Sequence, residues 1–110
     1  MLLGTGEVLV VGSDNICMPA TGGSDSVEIG DPQTSVWDMT TSLRSPREVP
    51  VLVALHDGRA LLTGGETGED GGPSAYSSTY VFDPKDRSWS RSGLLNTART
   101  ELAAAVLADG

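Results

Sequence analysis

Apolar residues along this chain fall in short runs, not in a helical stripe. Val49 to Leu55 (VPVLVAL) is β-branched and almost wholly apolar, the pattern of a strand buried on both faces. Asp57-Gly58 follows and leads directly into RALLTGG (Arg59 to Gly65), which together read as a two-strand hairpin. After a loop of about a dozen residues comes STYVFDP, a run of β-formers closed by Asp83-Pro84, where proline stops a ladder and opens a turn. KDR is that turn, and SWSRS (Ser88 to Ser92) is a further strand that alternates around Trp89. No segment keeps an apolar 3.6-residue period for three turns, so the expected class is all-β.

The same pattern occurs twice. Shifting the chain by 52 positions places Trp37 on Trp89, Asp31-Pro32 on Asp83-Pro84, Leu43 on Leu95 and Arg47 on Arg99, without a gap. Gly6 falls on Gly58, Leu9 on Leu61 and Gly12 on Gly64, while Leu3 meets Leu55 and Leu55 meets Leu107. The matches are the residues that set turns and cores. The loops Ser13 to Asp25 and Gly65 to Ser77 share length and almost no sequence, as expected when a scaffold repeats and its loops diverge. Thr100 to Leu107 (TELAAAVL) has helix-forming composition, but the repeat aligns it with EVPVLVAL and so predicts a strand.

Four antiparallel strands in ~50 residues make one twisted sheet, which cannot bury both faces alone. Radial stacking of such sheets solves the problem, and a closed ring of them needs at least ~4. The residues that carry this pattern resemble the kelch family in its bacterial form: RALLTGG with its double glycine, YVFDP, the Trp89 that follows Asp83, and the Leu95…Arg99 run before the next inner strand. The resemblance covers Leu3 to Gly110. Its first copy departs at Ser13, in place of the second glycine, and at Gly30, in place of Phe82.

The resemblance implies kelch-type β-propeller blades, about two of them, as a partial or fragment propeller. Residues 1–48 would supply strands two to four of a first blade plus linker, 49–92 a complete second blade, and 93–110 a linker and the innermost strand of a third. Such a chain needs the remaining blades to close a ring. Alternatively, two or three copies of itself would meet head-to-tail in a four- or six-bladed ring.

Composition narrows the partners. Seven Lys and Arg against fifteen Asp and Glu give a net charge of −8, and the basic residues are scattered, which disfavours nucleic acid and anionic membrane. Cys17 is alone and His56 is the only histidine, so no Cys/His cluster has zinc-ligand spacing, and neither a metal nor another cofactor is expected. The opening MLLGTGEVLVVGSD lacks a basic n-region and breaks its apolar run at Gly4 to Glu7, so it reads neither as a signal peptide nor as a membrane span. The compartment stays open.

Repetition at one register makes Trp37 and Trp89 packing residues between blades, and Asp31 and Asp83 carboxylates that cap turn amides. Gly64-Gly65 has the freedom of a phosphate cradle, but no helix or P-loop lysine follows, so close backbone approach is the better account. Arg47 and Arg99 sit just before inner strands. Each would either tie blades together or present its fork of donors to an anionic ligand.

In a kelch propeller the loops between strands two and three emerge on the face of the interblade linkers, which commonly binds partners. Here that face would carry Asp14, Asn15, Arg44, Glu66, Glu69, Asp70, Tyr76 and Asn96, with Arg47 and Arg99 nearby. The loop ETGEDGG is acidic but lacks the alternating ligands and closing Glu of a calcium loop. The function so implied is a binding module for protein or glycan. The alternative is a piece of a propeller enzyme, galactose-oxidase-like or sialic-acid-isomerase-like, with its catalytic residues outside this chain. A copper-radical site needs two histidines, and one is present.

Overall fold

The computed structural model describes residues 1–12, 24–67 and 74–109. Nine strands form within them: β1 (Val8–Val11), β2 (Val27–Asp31), β3 (Val36–Met39), β4 (Val51–Ala54), β5 (Ala60–Thr63), β6 (Glu66–Thr67), β7 (Ser74–Ala75), β8 (Ser78–Asp83) and β9 (Ser88–Leu94). No helix occurs among the described residues. One sheet has the order β1-β2-β3 and a second the order β4-β5-β8-β9, every pair antiparallel. A Leu2–Val8 bridge, with the Met1 carbonyl accepting from Leu9 N–H at 2.8 Å, adds a short inner edge to the first sheet. The fold is thus all-β and consists of two β-propeller blades.

The repeat is written in the backbone as well as in the sequence. Positive φ recurs at the same spacing in both blades: Gly6 and Gly58 at 90° and 89°, Gly12 and Gly64 at 67° and 65°, Ser35 and Arg87 at 57° and 51°. Even Val49 and Glu101 share it, at 48° and 49°. The hairpin bonds repeat too. Gly6 N–H donates to Leu3 O at 3.0 Å, and Gly58 N–H donates to Leu55 O at 3.1 Å. Asp31 Oδ1 accepts from Gln33 N–H at 2.8 Å and Asp83 Oδ1 from Lys85 N–H at 3.0 Å, the turn-capping role expected of both carboxylates.

Two elements differ from the sequence reading. The loop expected between the second and third strands of the second blade carries a small ladder, β6–β7, with Glu66 opposite Ala75 and Thr67 opposite Ser74. Glu48 and Glu66 also exchange backbone bonds at 2.8 and 3.0 Å, which ties the interblade linker to this ladder. The expected strand at 100–107 is paired in no ladder. Its counterpart β4 is held only by β5, and no such neighbour runs beside 100–107 among the described residues. Without that neighbour no hydrogen-bonded partner defines a strand, although Leu102 does pack over Gly64.

The core lies between the blades. Leu3, Leu9, Val27, Ile29 and Leu43 of the first blade and its linker meet Ala60, Leu62 and Phe82 of the second, and all are buried. Strand alternation explains the split: Leu9 pairs with Ile29 and Val11 with Val27 on one face of the first sheet. Ala60 pairs with Phe82 and Leu62 with Tyr80 on the facing side of the second. Trp89 packs against this core, its ring 5.0 Å from Phe82 and tilted by 51°. Trp37, expected to pack in the same way, is instead 51% exposed and lies over Gly30, because no described blade covers that side.

Candidate functional site

Arg47 of the interblade linker spans the seam. Arg47 is fully buried, and its backbone N–H reaches Ser24 O of the first blade at 3.5 Å. Its side chain crosses into the second blade, where Nη1 donates to Gly64 O at 2.6 Å and Ser78 O at 3.2 Å, and Nη2 donates to the Ser78 hydroxyl. The guanidinium stands 4.2 Å from the Tyr76 ring centroid and 5.2 Å from that of Tyr80. Burial lowers its pKa below the ordinary arginine value while the two tyrosines oppose that shift. The group stays cationic at neutral pH. Of the two roles open to Arg47, this geometry gives it the structural one: its fork is spent on carbonyls and a hydroxyl of the neighbouring blade.

Arg99 occupies the equivalent place on the second blade. Its N–H bonds Tyr76 O at 3.2 Å and its carbonyl accepts from Gly65 N–H at 3.0 Å, yet its side chain is exposed. The two arginines share a repeat position and a backbone position, and a blade receives only the first.

Arg44 lines a groove of about 440 Å³ along the outer wall of the seam. Thr41, Ser42 and Leu43 of the linker form one bank, and Tyr80, Ser88, Trp89 and Arg91 of the second blade form the other. Arg91 was not singled out by sequence reasoning. Its signal is the alternation of SWSRS, which puts Trp89 opposite Phe82 and Arg91 opposite Tyr80 on one face of the sheet. Among the described residues no carboxylate lies in ion-pair distance of Arg44 or Arg91. Trp89 Nε1 is buried there without a hydrogen-bond partner. In a chain of net charge −8, two guanidiniums lining one groove with Tyr80 and Trp89 make a local patch of positive charge.

The remaining sequence-predicted residues divide. Tyr76 serves Arg47, Glu66 is committed to its ladder, and Asn96 is exposed at the position equivalent to Arg44. Asp14, Asn15, Glu69 and Asp70 lie outside the described residues. A second cleft, of about 620 Å³, opens beside the hairpin turns and is lined by Thr5, His56, Asp57, Arg59, Asp83 and Lys85 among others. Two of its charges pair with each other: Arg59 holds Asp57 at 2.6 Å, and its hydrogen bond keeps that carboxyl below the usual carboxylate range. The described residues contain no group of three His, Cys, Asp or Glu side chains that would hold a metal. A copper centre of the two-histidine kind does not fit this chain, whose one imidazole sits among those turns.

No protein-family model matches the chain, and no curated protein matches it. Among solved structures it is similar to a fungal alcohol oxidase of the AA5 family, described as catalytically diverse and in complex with copper. The TM-score is 0.71 at 16% identity, over 86% of this chain and 21% of the oxidase chain. The chain therefore spans about a fifth of that protein's length, and the likeness is one of fold.

Proposed function

We propose that the chain is part of a kelch-type propeller acting as a binding module, and that the seam groove takes an anionic glycan. The observation that carries this reading is that Arg44 and Arg91, without a carboxylate partner among the described residues, line one groove together with Tyr80 and Trp89. Guanidiniums match carboxylate and sulfate oxygens through paired donors. An aromatic face accepts the apolar side of a sugar ring. A groove of about 440 Å³ falls in the size range of small-ligand sites.

The test is calorimetric titration of the chain with an oligogalacturonide beside its neutral galactose counterpart. The acidic sugar is expected to bind and the neutral one to bind at least tenfold more weakly, with Arg91→Ala and Arg44→Ala each costing about tenfold. Equal affinity for both sugars, or no effect of either substitution, ends the reading.

The fold likeness to a copper alcohol oxidase favours a second reading, in which the chain is a piece of a propeller enzyme. Its own residues then supply scaffold alone, and the chemistry rests on groups outside this sequence. Joining the chain to its flanking residues and assaying alcohol oxidation with added copper separates the two readings.

A further inference from the structure

The two blades are one pattern seen in two settings, and the comparison isolates two faces that lack a cover. In the first blade and its linker Leu3, Leu9, Ile29 and Leu43 are buried against the second blade. Their equivalents Leu55, Leu61, Val81 and Leu95 are only half-buried. On the opposite side the relation reverses. Leu62 is fully buried against the first blade and Trp89 is half-buried, whereas their equivalents Val10 and Trp37 are 43% and 51% exposed, beside Leu2 at 63% and Met39 at 65%. One uncovered face has the apolar pattern that docks in this fold, and the other has the pattern that receives it.

We infer that a second copy of this chain covers them, head-to-tail, with Arg99 of one copy keyed into the first blade of the next. Charge supplies the argument for a copy over any other occupant. Arg47 enters a socket made of Gly64 O, Ser78, Tyr76 and Tyr80. The same positions of the first blade are Gly12, Ser26, Ser24 and Glu28. That socket keeps the carbonyl and the serine and replaces the two tyrosine rings with the small Ser24 and a half-buried carboxylate, Glu28. Arg99 is the exposed cation that sits, relative to its blade, where Arg47 sits relative to the first. Docked in the register of the internal seam, Arg99 meets Glu28 as a charge-assisted pair that the internal seam itself lacks. The contact is heterologous, with different surfaces on its two sides, so repetition gives a ring or an open chain of blades. The groove of Arg44 and Arg91 stays clear of it, since that groove belongs to the internal seam.

The test is sedimentation equilibrium of the 110-residue chain across a concentration series, with far-ultraviolet dichroism to verify β structure. A mass above 11.4 kDa that rises with concentration is expected. Arg99→Glu alone and Glu28→Arg alone each place like charges in the socket and are expected to weaken association at least tenfold. Mixed in equal amounts, the two variants restore it, because the arginine at position 99 of the second still finds Glu28 of the first. Arg99→Ser and Glu28→Gln, milder changes, serve if a reversal prevents folding, and each is expected to weaken association. A folded chain that is monomeric throughout overturns the inference. So does association untouched by the single substitutions, or a mixture that stays as monomeric as its parts.

Discussion

Replacing Arg47 tests whether the seam is held by a buried cation or only by its apolar residues. In Arg47→Ala the carbonyls of Gly64 and Ser78 lose a donor, and each buried acceptor so orphaned costs about 1–3 kcal/mol. Loss of the cation over Tyr76 at 4.2 Å adds about 1–2 kcal/mol. Against these stands the desolvation of a fully buried guanidinium, several kcal/mol that the native fold bears and the variant does not. The balance is a destabilisation of about 2–4 kcal/mol, or a fall in Tm of about 10–15 °C for a domain of this size. Arg47→Met keeps much of the volume and loses the fork, so it should recover none of the hydrogen bonding.

The matched control is Arg99→Ala, the same repeat position with its side chain in solvent. Urea denaturation followed by tryptophan fluorescence and dichroism should show Arg47→Ala shifted equally at every chain concentration, since its partners lie in the same chain. In dilute solution Arg99→Ala should stay within about 0.5 kcal/mol of the parent, as surface changes do. At higher concentration its effect should grow, as expected of a residue that acts between copies. Equal losses for the two variants in dilute solution, or an Arg47→Ala chain as stable as its parent, would refute the reasoning.

Two further substitution sets address turns and titration. A Cβ at Gly64 would stand 2.5 Å from Leu102 Cδ2 and 2.7 Å from Arg99 O at a φ of 65°, whereas one at Gly6, φ 90°, meets nothing within 4 Å. Gly6→Ala should therefore cost about 1–2 kcal/mol of backbone strain, and Gly64→Ala clearly more, by chemical denaturation. At the hairpin of Asp57, the hydrogen bond from Arg59 depresses the carboxyl pKa in the folded chain. Its stabilising contribution is then fully present above the unfolded-state value and is lost as pH falls through the lower folded one. Carboxyl NMR titration should find Asp57 below the usual range, and Arg59→Ala should bring it back. An unchanged midpoint in that variant would show that the backbone, not the guanidinium, sets it.

What the sequence made legible is what local chemistry decides. Gly6, Gly12, Gly58 and Gly64 each sit at positive φ, Asp31 and Asp83 each cap the turn they open, and Asp57-Gly58 closes the hairpin it announces. Each of these demands a particular residue at a particular place, so the period reads through. The ladder β6–β7 did not, because two-residue strands leave no alternation to count and this pair is fixed by Glu48 from the linker. The site was legible in halves. Arg44 was marked by its place on a linker, but Arg91 faces it across the seam, and only tertiary packing brings the two to one groove. Sequence treats Arg47 and Arg99 as equals, whereas burial separates them, since it depends on which blade comes next.

Two positions at which the blades differ show how such a fold absorbs change. Gly30 stands where the second blade has the fully buried Phe82, a loss of a whole ring from a core position. Phe82 and Trp89 share their space at 5.0 Å, whereas at Gly30 the indole of Trp37 moves onto the backbone, within 2.6 Å of where a Cβ would be. Loss of the phenyl thus lets the partner indole collapse onto the vacated place, which limits the void that makes large-to-small core changes costly. Arg91 to Met39 is the complementary case: the groove residue of the internal seam has an exposed apolar side chain as its equivalent on the uncovered first blade. A seam formed there by another blade would have Met39 and Asn96 where the internal one has Arg91 and Arg44. The pair of guanidiniums therefore belongs to the internal seam and is not repeated at the equivalent positions of the two blades.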